Sequence, residues 1–246
     1  MAFAGAFSTV TEAGTLSLLR GFELTCDGRP VVIPRSSQRL LAFLALQDRP
    51  LERGYVAGSL WTDSSDERAA ANLRSALWRL NRGGRPLVEA AGSQLRVAAG
   101  LRVDIRDAIA SARRVLTGTV APGVLSLYEI PLNWDLLPDW YEDWVLVERE
   151  RYRQLRLHAL EALCDALTKG RRFAEAVEAG LAVVAAEPLR ESAQRALISA
   201  HLAEGNRGEA VRQYRLFRRQ LNEELGVQPS TDLQELMRGH LGEVAG

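Results

Sequence analysis

The tripeptide Glu175-Ala176-Val177 returns unchanged as Glu209-Ala210-Val211, a displacement of 34 residues. Each copy follows a glycine, Gly170 or Gly205, by a few residues and opens an amphipathic run. A 34-residue period of helix, turn, helix is that of tetratricopeptide arrays, whose units bury their apolar faces only by stacking on one another. Around the repeat the pattern predicts helices at about 141–167, 173–186, 189–204, 207–224 and 230–241, with Pro188 and Pro229 marking two starts. Several helices joined by short loops make a solenoid or bundle, an architecture that offers grooves to proteins more often than it builds active sites.

The first hundred residues follow a different rule. Leu16–Leu19, Phe22–Cys26 and Val31–Ile33 are short apolar or alternating runs, and Asp27-Gly28 between two of them is a strong hairpin signal. A first helix is expected behind Ser36 as its cap, with Leu40, Leu41, Leu44 and Ala45 on one stripe. A second runs from about Glu52 to Trp61, burying Val56, Leu60 and Trp61. The acidic loop 62–66 leads into a third, Glu67 to Asn81, which Gly83-Gly84 stops. Leu87–Ala90 and Gln94–Val97 then flank a Gly92-Ser93 turn, the pattern of a two-stranded hairpin. The order is sheet, three helices, hairpin. Beyond Asp104 the chain is expected to be helical, apart from a Gly/Pro-bearing stretch from Thr117 to Pro138. Trp134, Trp140 and Trp144 surround Pro138 and are read as a packing joint between domains rather than a cofactor box.

Net charge is zero over 246 residues, but it is unevenly spread. Between Arg35 and Arg102 there are 11 arginines against six acids, whereas from Val103 onward 22 acids outnumber 18 basic residues. A basic block ahead of an acidic one places a polyanion with the first half. The third helix sharpens this. At about 100° per residue, Ala70, Leu73, Ala76, Leu77 and Leu80 fall on one side. Arg68, Ala71, Ser75, Trp78 and Arg82 fall opposite, flanked by Asn72, Arg74 and Arg79. Arg, Asn and Ser on an open face reach phosphates and base edges in the major groove. A basic hairpin beside such a helix, here with Ser93 at its turn and Arg96 close by, is the docking arrangement of a winged helix. The expected DNA contacts are therefore Arg68, Asn72, Arg74, Ser75, Trp78, Arg79, Arg82, Ser93 and Arg96. Asn72 and Ser75, in the N-terminal half of the helix, are placed for bases. Arg79 and Arg82 are placed for phosphates, and Arg68 for either.

Catalysis finds no support. The single lysine, Lys169, is followed by Gly170, so no phosphate-binding loop exists. His158, His201 and His240 lie on separate predicted helices without neighbours at metal spacing, and no nucleophile elbow occurs. The chain is expected to be no enzyme and to need no metal or cofactor. Cys26 and Cys164 fall in different elements and are expected as reduced, buried thiols. No run approaches the roughly 20 apolar residues of a membrane span, and the first residues carry no basic signal region, so a cytoplasmic protein is expected.

Two segments resemble a known family. One is Ala69-Ala70-Ala71-Asn72-Leu73-Arg74-Ser75-Ala76-Leu77-Trp78-Arg79-Leu80, with Leu60-Trp61 before it and Leu87-Val88-Glu89 after. The other is LLPDWYEDWVLVERERYRQLRLHALEAL (136–163) with EPLRESAQRALISAHLAEGNRGEAVRQY (187–214) and ELGVQPS (224–230). They resemble the actinobacterial antibiotic-regulatory activators, in which an OmpR-like winged helix precedes a bacterial transcriptional activator domain. The resemblance implies a mostly α chain in three parts. Residues 1–15 are a flexible tail, 16–103 an α+β winged-helix DNA-binding domain, and 104–246 an all-α tetratricopeptide-like domain. It implies an activator that binds promoter repeats in double-stranded DNA, as a homodimer or tandem monomers, and recruits RNA polymerase for a pathway-specific gene cluster. Larger relatives continue into an ATPase and sensor repeats, so a sequence ending at Gly246 is similar to the short members. Gly54-Tyr55 and Ala71-Asn72 depart from the family pattern and are expected to shift base preference. The competing reading is a protein-interaction adaptor built on the helical repeats. A regulator gated by a small molecule in the helical groove stands third.

Overall fold

The computed structural model describes residues 14–82, 86–119 and 134–241. The glycines at 83 and 84, most of the expected N-terminal tail, and most of the Gly/Pro-bearing stretch lie outside the described residues. The chain divides into two compact units.

The first unit comprises residues up to Asp107 together with Asp135–Arg149. Its opening strands are β1 (Gly14–Ser17), β2 (Glu23–Cys26) and β3 (Arg29–Pro30). Asp27 and Gly28 both take positive φ, 49° and 73°, which is the turn that an Asp-Gly hairpin requires. The third apolar run does not form the expected strand. Pro30 has no N–H to continue the ladder, one last bond runs from Val31 N–H to Leu24 O, and Val32 stands 96% exposed. The strand that completes this sheet comes from far along the chain. β7 (Leu101–Val103) lies parallel to β1, giving the order β3-β2-β1-β7.

Three helices follow the first hairpin: α1 (Arg35–Ala45), α2 (Arg53–Leu60) and α3 (Asp66–Asn81). Ser36 is not the cap of α1, because the helix already includes Arg35 and Pro34 stands at the cap with its φ of −59° suited to a helix start. A short strand between α1 and α2, β4 (Leu51–Glu52), pairs with the later hairpin β5 (Val88–Ala91) and β6 (Gln94–Val97) in the order β4-β6-β5. Gly92, at the hairpin turn, has φ +59°, and the register Ala91↔Gln94 closes a two-residue loop. Leu40, Leu41, Leu44, Val56, Leu60, Leu73, Ala76 and Leu95 fill the centre. Trp61, expected in this core, is only half-buried because it caps the end of α2.

At the rear of the sheet Asp104, first residue of α4 (Asp104–Leu116), accepts the N–H groups of Leu18, Leu19 and Ile105. Burial raises its carboxyl above the usual range, opposed by those three donors. The segment Asp135–Arg149 belongs to the same unit. Leu137 N–H bonds Leu18 O, Arg20 N–H bonds Asp135 O, and Leu19 bridges to Leu136. Trp140 stacks on Phe22 at 5.9 Å, and Trp144 meets Phe43 edge-on at 5.2 Å. Arg149 ties the turn together by donating to the carbonyls of Leu136, Leu137 and Trp140. Trp140 and Trp144 thus pack into the winged-helix unit itself.

The second unit holds the rest of α4 and of α5 (Asp143–Lys169), then α6 (Phe173–Ala186), α7 (Glu191–Glu204), α8 (Arg207–Leu225) and α9 (Thr231–Met237). The repeat is visible in it. α6 and α8 begin at Phe173 and Arg207, and 34 residues separate each of the fully buried pairs Ala176/Ala210 and Val183/Phe217. Arg171 and Gly205, also 34 apart, both take left-handed φ, 59° and 93°, so the turn geometry repeats where the glycine does not. Gly180 lets α6 approach α7 closely, since a Cβ there would lie 3.0–3.2 Å from Leu197. Two apolar clusters result, one joining the α4 end to α5, α6 and α7, the other joining α7, α8 and α9.

Both cysteines are free, but they differ. Cys164 is buried, and its thiol is pushed up to about 12 by burial and by Asp165. Cys26 is only half-buried, on a strand near the edge of its sheet. Because the thiolate is the reactive form, a thiol reagent at pH 8 is expected to label Cys26 alone in the native protein. Cys164 should react only after denaturation, and equal native labelling of both would contradict the packing around α5.

Candidate nucleic-acid interface

The site is built on α3. Asp66 and Glu67 in its first turn favour the positive helix end. Ala69, Leu73, Ala76, Leu77 and Leu80 are buried, a stripe one position off the expected one at its start, since Ala69 rather than Ala70 turns inward. Arg68, Arg74, Ser75, Trp78, Arg79 and Arg82 are exposed and Asn72 is half-buried. Among the described residues Arg68, Arg74 and Arg79 make no ion pair or hydrogen bond. The Arg82 guanidinium lies 4.9 Å from the ring centre of Trp78, whose indole is 61% exposed. α3 therefore presents cations flanking a bare aromatic plate.

Four of the other arginines that make the first half basic are ion-paired. Arg35 sits 3.6 Å over the Trp140 ring and pairs with Glu142, as does Arg39 at 3.2 Å. Arg102 pairs with Asp107 at 2.8 Å. Arg96, expected as a wing contact, is held by Glu89 at 2.6 Å. The Ala99 N–H, and then Arg96, hold the Glu89 carboxyl below its ordinary range. Ser93 is exposed at the turn, and the Ser93 and Gln94 side chains hydrogen-bond Glu52, lowering its carboxyl. The Ser93 carbonyl also accepts the Arg53 N–H at 2.8 Å, so the hairpin tip is anchored to the start of α2. The nine expected residues divide: seven lie on α3 and its C-cap, while Ser93 and Arg96 lie on the hairpin, Arg96 paired with Glu89.

Sequence reasoning missed Asn81. Its side chain accepts the N–H groups of Leu87 and Val88 and donates to Val88 O at 3.0 Å, fastening the end of α3 to the base of the hairpin. An asparagine in a helix's last turn is only a weak sign of such a bridge, because the partners lie six and seven residues further on. Asn81→Ala leaves two N–H donors of buried residues unsatisfied, and is expected to cost about 1–3 kcal/mol. Chemical denaturation checks the loss, and unchanged stability would show the bridge to be dispensable. No group of residues able to hold a metal ion occurs among those described, and none of their helices is long and apolar enough to cross a membrane.

A winged helix followed by helical repeats is an arrangement that known proteins share. The family model of the bacterial transcriptional activator domain matches residues 90–239. The chain is 30% identical over 245 residues to Regulatory protein AfsR of Streptomyces griseus, covering 93% of this chain and 24% of that protein. With Regulatory protein AfsR of Streptomyces coelicolor it shares 30% over 223 residues, 86% of this chain and 22% of the relative. Transcriptional regulator RedD of the same organism is 37% identical over 83 residues, 34% of this chain and 24% of its own. This chain thus spans about a quarter of the length of these curated relatives. Among solved structures, Mycobacterium tuberculosis EmbR in complex with a low affinity phosphopeptide has the same fold. Its TM-score is 0.73 at 21% identity, covering 93% of this chain and 65% of that one. The chain belongs to the bacterial transcriptional activator domain family, among the actinobacterial antibiotic-regulatory proteins.

Proposed function

We propose that the first unit binds promoter DNA sequence-specifically, with α3 in the major groove and the β5–β6 hairpin beside it, and that the helical repeats engage RNA polymerase. On this reading the protein works in the cytoplasm on repeated half-sites, as a homodimer or as tandem monomers. The observation that carries the DNA contact is the set of uncompensated arginines on α3, in a unit where Arg35, Arg39, Arg96 and Arg102 are all ion-paired. An adaptor working through the helical repeats alone leaves the α3 arginines without a ligand, although Arg79 and Arg82, three residues apart, work against the helix that holds them.

The test is titration of the full chain against a duplex selected from random sequence, at several salt concentrations. Counterion release predicts that log affinity falls with log salt by about 0.9 for each phosphate neutralised. A salt-independent signal, or no selected sequence, would remove the reading. Transcription reconstituted with polymerase tests the second half: substitutions confined to the repeats should lower transcript yield while operator affinity stays. Loss of both together would place DNA binding in the repeats.

A further inference from the structure

Although the second half of the chain carries an excess of acids, α8 turns a basic stripe to solvent. Arg212, Arg215, Arg218 and Arg219 are all exposed within just over two turns. Arg212 has one long contact to Glu209, 3.5 Å, and remains 79% exposed. Among the described residues Arg215, Arg218 and Arg219 make no hydrogen bond or ion pair. The helix's own acids sit towards its ends, at Glu209, Glu223 and Glu224. Like charges three and four residues apart, as in Arg212/Arg215, Arg215/Arg218 and Arg215/Arg219, work against the helix that holds them. The opposite face, Ala210, Tyr214, Phe217 and Leu221, is buried and explains why α8 folds, but not why its open face carries four arginines there.

Apolar side chains border the stripe. At about 100° per residue Leu216 falls beside Arg212 and Arg219, while Leu225 falls in line with Arg218 two turns away. Both leucines are exposed, as is Val227 just beyond the Gly226 cap. A phosphate backbone would use the guanidinium groups and leave these three uncovered. An amphipathic acidic protein segment uses both, since carboxylates accept bidentate hydrogen bonds from arginine and apolar neighbours cover the margins.

We infer that the open face of α8 is a docking surface for an acidic, amphipathic protein segment, with Arg215 and Arg219 at its centre. This rests on the reading that the repeats engage polymerase, and the partner segment is assigned to that assembly. The experiment compares the full chain with its Arg215→Glu/Arg219→Glu variant, and with Arg215→Lys/Arg219→Lys. Each is bound to the selected duplex and titrated with Streptomyces coelicolor RNA polymerase holoenzyme. All three should bind the duplex alone with equal affinity and salt slope. The glutamate variant should lose polymerase affinity at least tenfold, and the lysine variant should fall between, retaining charge without the planar fork. Circular dichroism confirms that each variant remains helical. Equal polymerase affinity in all three would overturn the inference while leaving polymerase recruitment standing. A glutamate variant that binds the duplex itself more weakly, with a shallower salt slope, would overturn it in favour of a DNA contact. Absence of polymerase binding by the unaltered chain would remove the parent reading and this inference together.

Discussion

Trp140→Ala is expected to lower the unfolding free energy of the first unit by about 3–5 kcal/mol, the range for removing a buried large aromatic side chain. The indole is 4% exposed, stacked on Phe22 at 5.9 Å and set edge-on to Trp144 at 6.2 Å. It also carries the Arg35 guanidinium on its face. Its loss opens a cavity and removes the surface over which Arg35 is laid towards Glu142. Trp78→Ala is the control, because an indole 61% exposed has little packing to lose. It should change stability by no more than about 0.5 kcal/mol. Urea denaturation followed by circular dichroism measures both, and similar values for the two would contradict the packing described. The same geometry bears on truncation. A fragment ending at residue 107 lacks Leu136, Leu137, Trp140 and Trp144 and uncovers the side chains against which they lie. It should melt well below a fragment that continues to Arg149.

The second large effect concerns how α3 divides its work. Arg82→Ala is expected to weaken binding to operator and random DNA alike and to reduce the salt slope by about one, the signature of a lost phosphate contact. Asn72→Ala should instead relax discrimination between operator and mutated operator by about 1–3 kcal/mol, with the salt slope nearly unchanged. Replacing Arg74, Arg79 and Arg82 together should reduce the slope by about three. Competition of each variant between the two duplexes decides the matter. If Arg82→Ala altered base preference while Asn72→Ala lowered affinity uniformly, α3 would lie on the duplex in the opposite sense. Trp78 stands between the two groups, and removing its ring also frees the Arg82 guanidinium stacked on it.

Much of the local structure was legible because its causes are local. The positive φ values at Asp27, Gly28 and Gly92 are what Asp-Gly and Gly-Ser turns demand. The start of α6 at Phe173, its end at Ala186 and the start of α8 at Arg207 follow the apolar period. The inward face of α3 was readable to within one residue for the same reason. The misses also have causes. β4 and β7 are two and three residues long, too short to show an alternation, and exist only because β6 and β1 offer them partners. Ser36 resembled a cap by residue type, but Pro34 had already set the helix start.

By itself the sequence determined the 34-residue repeat, the order of sheet, helices and hairpin, and the arginine-bearing face of α3. Each arises from spacing along a single helix or turn, where neighbours in sequence are neighbours in space. Only the tertiary structure decided which arginines are free to meet a ligand. Arg35 and Glu142 are 107 positions apart, and the charge balance of either half says nothing of their ion pair. The same holds for residues 135–149, which chain order places with the helices and packing places with the winged helix. Burial of Trp140 depends on Phe22, far back in the chain, lying against it, and no periodicity within its own segment encodes that.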